Sequence, residues 1–134
     1  MTGLKTCAVA LAICTAVSAQ AKPPLSDVPE IDGTLFVVAL ANEVGRKCDD
    51  ISARRLKGYN MLFQLRSRAN ELGYTDAEIR AFVESDAEKA KMRSRGEKYL
   101  ESKGVNIDQP DTYCAFGRTE IANSSAIGAL LKAR

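Results

Sequence analysis

Cys48 to Gly73 runs CDDISARRLKGYNMLFQLRSRANELG, and the fold turns on how this stretch is read. Past Asp49-Asp50 the spacing predicts one long helix ending at Gly73, with either aspartate or Ser52 as its cap. On a helical wheel Met61, Leu72, Leu65, Ala69, Leu62, Tyr59, Phe63 and Leu56 spread over more than half the circumference. Ser67, Asn60, Gln64, Lys57 and Arg68 fill the remainder. A surface helix carries a narrower stripe than this. The helix is therefore expected to touch neighbours on two sides, as the centre of an all-α bundle. Arg55 and Arg66 fall within the apolar arc, where an unpaired charge is costly.

Upstream, Asp32 offers a cap for a first helix over Thr34 to Lys47. Leu35 to Ala41 (LFVVALA) is apolar on all sides and predicts burial. The Val37-Val38 pair suits a strand, but the polar run after it continues in helical style. Lys22 to Ile31 carries Pro23, Pro24 and Pro29 and is expected to be an extended arm.

Downstream, Gly73 is a natural residue just past a helix end, and Thr75-Asp76-Ala77-Glu78 is a capping box for the next helix. That helix is expected to run to Gly104, with a weak point at Ser94-Arg95-Gly96. A last helix starts near Pro110, a favoured first position. Gly117, Ser124 and Gly128 share one of its sides and would let another helix approach. The expectation is an all-α bundle of about four helices spanning 32–134.

The amino terminus has the layout of a signal peptide over residues 1–21. Lys5 supplies a positive region, Cys7 to Val17 an uncharged apolar core, and Ala19-Gln20-Ala21 a cleavage site. The apolar run is about half the roughly 20 residues that a membrane helix needs. No membrane span is expected after cleavage. Leu11-Ala12-Ile13-Cys14 has the outline of a lipobox, with Ile13 where a small residue belongs, so lipidation at Cys14 is the alternative. Export leaves Cys48 and Cys114, and one cysteine pair in an oxidising compartment predicts one disulfide. In the loop-entropy account, so long a loop is worth about 4 kcal/mol.

The chain has 134 residues and a formal net charge of +2, which removal of Lys5 lowers by one. So even a balance points to neither nucleic acid nor an anionic membrane as a partner by charge alone. There is no histidine, so a serine or cysteine nucleophile lacks its usual base and zinc its usual nitrogen ligand. No Gly-rich phosphate loop or Cys-x-x-Cys is present. No catalytic, cofactor-binding or metal-binding residue is assigned.

Carboxylates remain. Asp86, Glu97 and Glu120 fall on otherwise apolar faces, and a buried carboxyl with a raised pKa could serve a carboxylate-dependent hydrolase. The plainer reading pairs them with arginines in the core: Arg55, Arg66, Asp86 and Glu120 are the buried ion-pair candidates, Glu120 with Arg55 or Arg66 in particular. Asn106, Asp108 and Asp111 suit turns and caps better than calcium, since their spacing is not that of a calcium loop. Arg46, Lys47, Arg54, Arg55, Lys57, Arg66 and Arg68 are dense but interleaved with Glu43, Asp49, Asp50 and Glu71. They read as a solvated face, or as a face for an acidic protein partner.

The run Tyr113-Cys114-Ala115-Phe116-Gly117-Arg118-Thr119-Glu120-Ile121, followed by Gly128-Ala129-Leu130-Leu131, carries a resemblance. With Cys48, the leader and the Leu72-Gly73-Tyr74-Thr75 turn, it resembles a family of small uncharacterised exported proteins of alphaproteobacteria. Some of these carry labels linking them to respiratory NADH:quinone oxidoreductase. The resemblance implies an accessory role on the periplasmic side and offers no catalytic residues. The expected function is that of an exported, non-enzymatic interaction or accessory protein, periplasmic or secreted, with an unknown protein partner. The alternatives are the hydrolase and a helical periplasmic chaperone or inhibitor, which would show an exposed apolar patch.

Overall fold

The computed structural model describes residues 21–134. The leader expected over residues 1–21, with Cys14, falls outside them except for Ala21. A 3-10 turn at Leu25–Asp27 leads into α1, Pro29–Lys47. Then follow a short strand β1 (Ile51–Ala53), α2 (Arg55–Glu71), α3 (Asp76–Glu84), α4 (Asp86–Ser102) and α5 (Pro110–Ala122). A second 3-10 turn, Gly128–Leu130, ends in strand β2, Leu131–Ala133. Among the described residues the fold is mostly helical as expected, with five helices rather than about four and a small antiparallel sheet.

The proline-bearing segment does not stand off as an extended arm. Pro29 is the first residue of α1, where its missing N–H costs nothing, so the helix starts five residues before Thr34. Leu25 and Ile31 are buried with Ala69 and Tyr74 in a small second core. The Tyr74 hydroxyl donates to the Pro23 carbonyl at 2.6 Å, and Lys22 Nζ to that of Gly73 at 2.6 Å. Glu30 and Asp32 in the first turn of α1, with Arg46 and Lys47 in its last, complement the helix dipole.

The main core lies between α1, α5 and the sheet. Leu40, Ala41, Val44, Cys48, Ile51, Tyr113, Cys114, Phe116 and Leu131 form its centre. β1 pairs antiparallel with β2, Ile51 opposite Ala133 and Ala53 opposite Leu131. A two-stranded sheet is marginal alone; this one is held because Ile51 and Leu131 are both buried. Two glycines make room for it. A Cβ on Gly45 of α1 would fall 2.6 Å from the Ala53 nitrogen, and one on Gly117 of α5 would fall 2.7 Å from Ile51 Cδ1 and 2.9 Å from Val44 Cγ1. Gly117 thus admits a strand and α1, while Gly128 packs back on the Glu120 carbonyl at the end of α5. Cys48 and Cys114 are joined, Sγ to Sγ at 2.03 Å, tying the end of α1 to the first turns of α5.

Three further helix boundaries differ from expectation. α2 begins at Arg55, because the chain first runs extended through Ile51–Ala53 to pair with β2. The expected helix to Gly104 is two. Ser85 ends α3 and caps α4, its Oγ accepting from the Glu88 amide at 3.3 Å. Ser94-Arg95-Gly96 is unbroken helix, with Gly96 buried close to Leu40. α5 stops at Ala122, past which Ser124 takes a left-handed φ of 49°.

Candidate functional site

α2 is the element that departs furthest from its expected place. Only Ala69 in it is fully buried, with Met61 and Leu65 partly covered on the same side. The opposite side is open: Leu56 is 76% exposed, Tyr59 68% and Phe63 69%. Positions 56, 59 and 63 fall on one helix face at the spacing of successive turns. What looked like one wide apolar arc is two apolar faces on opposite sides, one packed and one free. Arg55 and Arg66 lie along one seam between the faces, which is why neither is buried.

No charged residue is buried among the described residues, so the expected core ion pairs do not form. Arg66 instead grips Asp76 at the start of α3, Nη2 at 2.6 Å and Nε at 3.1 Å, with both side chains about half exposed. This guanidinium, with the Asn70 amide, holds the Asp76 carboxyl below its ordinary range. Arg55 is exposed beside β1. Asp86 is fully exposed and 3.7 Å from Lys89, one turn along α4. Glu120 meets no arginine. Its carboxylate accepts from the Ser125 hydroxyl, which in turn accepts from the Gly128 amide at 2.9 Å. In the loop, the Asn106 side-chain amide serves a turn, its Oδ1 accepting from the Asp108 backbone amide at 3.0 Å. Among the described residues no cluster of three or more histidine, cysteine, aspartate or glutamate side chains is placed to hold a metal.

A second open surface is a cleft of about 740 Å³ between α1 and the α3–α4 pair. Its origin lies in how α4 attaches. The carboxy-terminal half of α4 is fastened to α1: Arg95 makes a two-point pair with Asp32 at 2.8 and 3.0 Å, and its guanidinium lies 4.5 Å from the Phe36 ring centre. Phe36 meets Tyr99 edge-on at 5.6 Å, and Tyr99 meets Phe116 at 6.4 Å. The amino-terminal half, behind the Ser85 break, has no buried residue, and the gap runs from there along α4 past Gly96, Glu97 and Leu100. Leu35, Phe36, Ala39, Phe82, Val83 and Met92 give the gap apolar walls. Charges of both signs border it: Glu43, Arg46, Lys47, Glu88, Arg93, Glu97 and Asp108. Arg46 is held by Glu43 at 2.6 Å. Tyr113 closes one end, and burial, with Glu43 and Glu97 nearby, pushes its phenol pKa up.

Of the three carboxylates singled out from sequence, only Glu97 borders the cleft. Asp86 is on open surface, and Glu120 is at the far end of α5. The structure does not bring them together. The cleft itself was missed, although Ser85-Asp86-Ala87-Glu88 repeats the capping pattern of Thr75-Asp76-Ala77-Glu78 and marks the break that makes it. The free ridge was missed because its three residues were assigned to a second neighbour that α2 does not have.

Fold and site together define a mostly helical domain with one disulfide, whose open features are apolar surfaces rather than a convergent polar centre. The chain belongs to a family of unknown function, DUF5333, whose model matches residues 23–132. Neither a search of curated proteins nor one of solved structures found a match. No helix among the described residues is long and apolar enough to cross a membrane.

Proposed function

We propose that this protein is a non-enzymatic accessory factor of an exported compartment, which takes an apolar segment of a protein partner into the cleft between α1 and α3–α4. The observation that carries the reading is the cleft's construction. Its volume lies in the range of preformed binding sites, and its walls are apolar with a charged border. Its carboxylates are exposed or already paired with a neighbouring cation, and none of them is buried. That favours binding over hydrolysis. The disulfide fits an oxidising compartment, and the leader pattern at residues 1–21 fits export to the periplasm or beyond. A role beside respiratory NADH:quinone oxidoreductase, as the family resemblance implies, is a narrower form of the same reading.

A photo-reactive side chain placed at Ala39, on the cleft wall, tests this in cells, with exposed Ala115 on α5 as control. The reading expects a discrete adduct from position 39 alone, lost when exposed Val83 across the cleft is changed to Arg. A subunit of the respiratory complex in that adduct would establish the narrower role. Equal adducts from both positions, or an adduct indifferent to Val83→Arg, would show that the cleft is not the binding site.

A further inference from the structure

The outward face of α2 is separate from the cleft and combines exposed apolar side chains with uncompensated positive charge. Leu56, Tyr59 and Phe63 stand proud of the surface, each more than two-thirds exposed. At the amino-terminal end of this ridge Leu56, with Asn60, borders a shallow depression that Arg54, Arg55, Lys57 and Lys132 also line. No carboxylate borders it. Arg54 Nε donates to the Leu131 carbonyl at 3.0 Å and Lys57 Nζ to that of Ala129 at 3.0 Å. These neutral acceptors aim the cations without cancelling their charge. Among the described residues none of the four makes an ion pair.

We propose that this face is a peripheral docking site for an anionic phospholipid bilayer. Charge selects the surface: four cations gathered in a chain of nearly balanced charge meet a plane of phosphates favourably. Shape selects lipid over protein. Side chains on a ridge need a matching groove in a protein partner, whereas a headgroup layer parts around them. The residue types agree, since leucine and phenylalanine enter the acyl boundary while tyrosine rests at headgroup depth. The helix lies along the surface and does not cross it, in keeping with its length and its polar seams.

Flotation of the purified protein with phosphatidylcholine vesicles, with and without phosphatidylglycerol, tests the assignment. Binding is expected only with the anionic lipid, and weakening as salt screens the cations. Arg55→Gln with Lys132→Gln should weaken it by about thirtyfold at low salt. Leu56→Ser with Phe63→Ser should abolish it while the melting temperature holds, since neither side chain is buried. Val83→Ser removes apolar surface from the cleft instead and should leave vesicle binding unchanged, so failure here is distinct from failure of the cleft reading. No flotation at low salt, or flotation indifferent to Leu56→Ser with Phe63→Ser, overturns the proposal. So does capture of an acidic amphipathic peptide helix by the same residues with vesicles ignored, which would give the face to a protein partner.

Discussion

Glu78 concentrates several local interactions in one carboxylate. It accepts from Lys22 Nζ at 2.9 Å and from the Thr75 amide at 2.7 Å, closing the capping box of α3 while pinning the start of the described chain. The Lys22 ammonium first, and the Thr75 amide second, lower its pKa from 4.5 to about 2. A carboxyl lowered by folding stabilises the folded state above its unfolded value and loses that contribution as pH falls toward its folded one. Stability is therefore expected to decline between pH 4.5 and about 2. Glu78→Gln should flatten that part of a pH-melting curve; an unchanged slope would place the acid sensitivity elsewhere. The group is exposed, so the effect should be modest and reduced by salt. Thr75-Asp76-Ala77-Glu78 was legible as a cap because its partners are three residues apart. The Lys22 contact was not, since it joins positions 22 and 78 through the fold.

Among the elements, the Ser85 junction and the sheet show what local pattern does and does not reveal. Ser85 both ends α3 and caps α4, so Ser85→Ala should cost about 1 kcal/mol in chemical denaturation. The same substitution at exposed Ser94, in mid-helix, should cost nothing. Gly45 poses a sharper contest. In an isolated helix Gly→Ala gains about 1 kcal/mol, but here the new Cβ would fall 2.6 Å from the Ala53 backbone nitrogen. A backbone atom in a paired strand yields poorly, and overpacking costs about 1–3 kcal/mol. Gly45→Ala should therefore lower the melting temperature; an increase would mean that β1 can shift away from α1. The sheet was illegible because three-residue strands 80 positions apart have no periodicity of their own, and their pairing is defined by what covers Ile51 and Leu131. α2 failed for a related reason: a wheel shows which faces are apolar, not which faces find neighbours.

For the whole molecule, the disulfide is the long-range staple. It spans 66 residues of chain and joins α1 to α5 inside the main core. Replacing both cysteines by serine should cost about 4 kcal/mol, read as a fall in the denaturation midpoint. A reductant acting on the wild type should produce a similar fall, and no change under reduction would show that helix packing suffices. The parts that such a loss would loosen are unequal. α1, α5 and the sheet share one core, whereas α3 has no fully buried residue and α4 has two. α3 and the first half of α4 should therefore exchange amide hydrogens fastest among the helices. The cleft lies against these elements.

Residue order alone was enough for the helical class, the Cys48–Cys114 bond, the capping box at Thr75 and the end of α2 near Gly73. Each depends on residue types a few positions apart, or on there being only one cysteine pair to join once the expected leader is set aside. The tertiary structure alone decided which side of α2 would be left bare, that Arg66 would meet Asp76 in solvent rather than Glu120 in the core, and that a cleft would open between α1 and the α3–α4 pair. Those outcomes depend on competition between faces for a limited set of neighbours. α1 is apolar on all sides from Leu35 to Ala41 and β1 crosses it at Gly45, so the centre of the molecule went to α1. Cys48 to Gly73, in which two apolar faces share one helix, could bury only one of them.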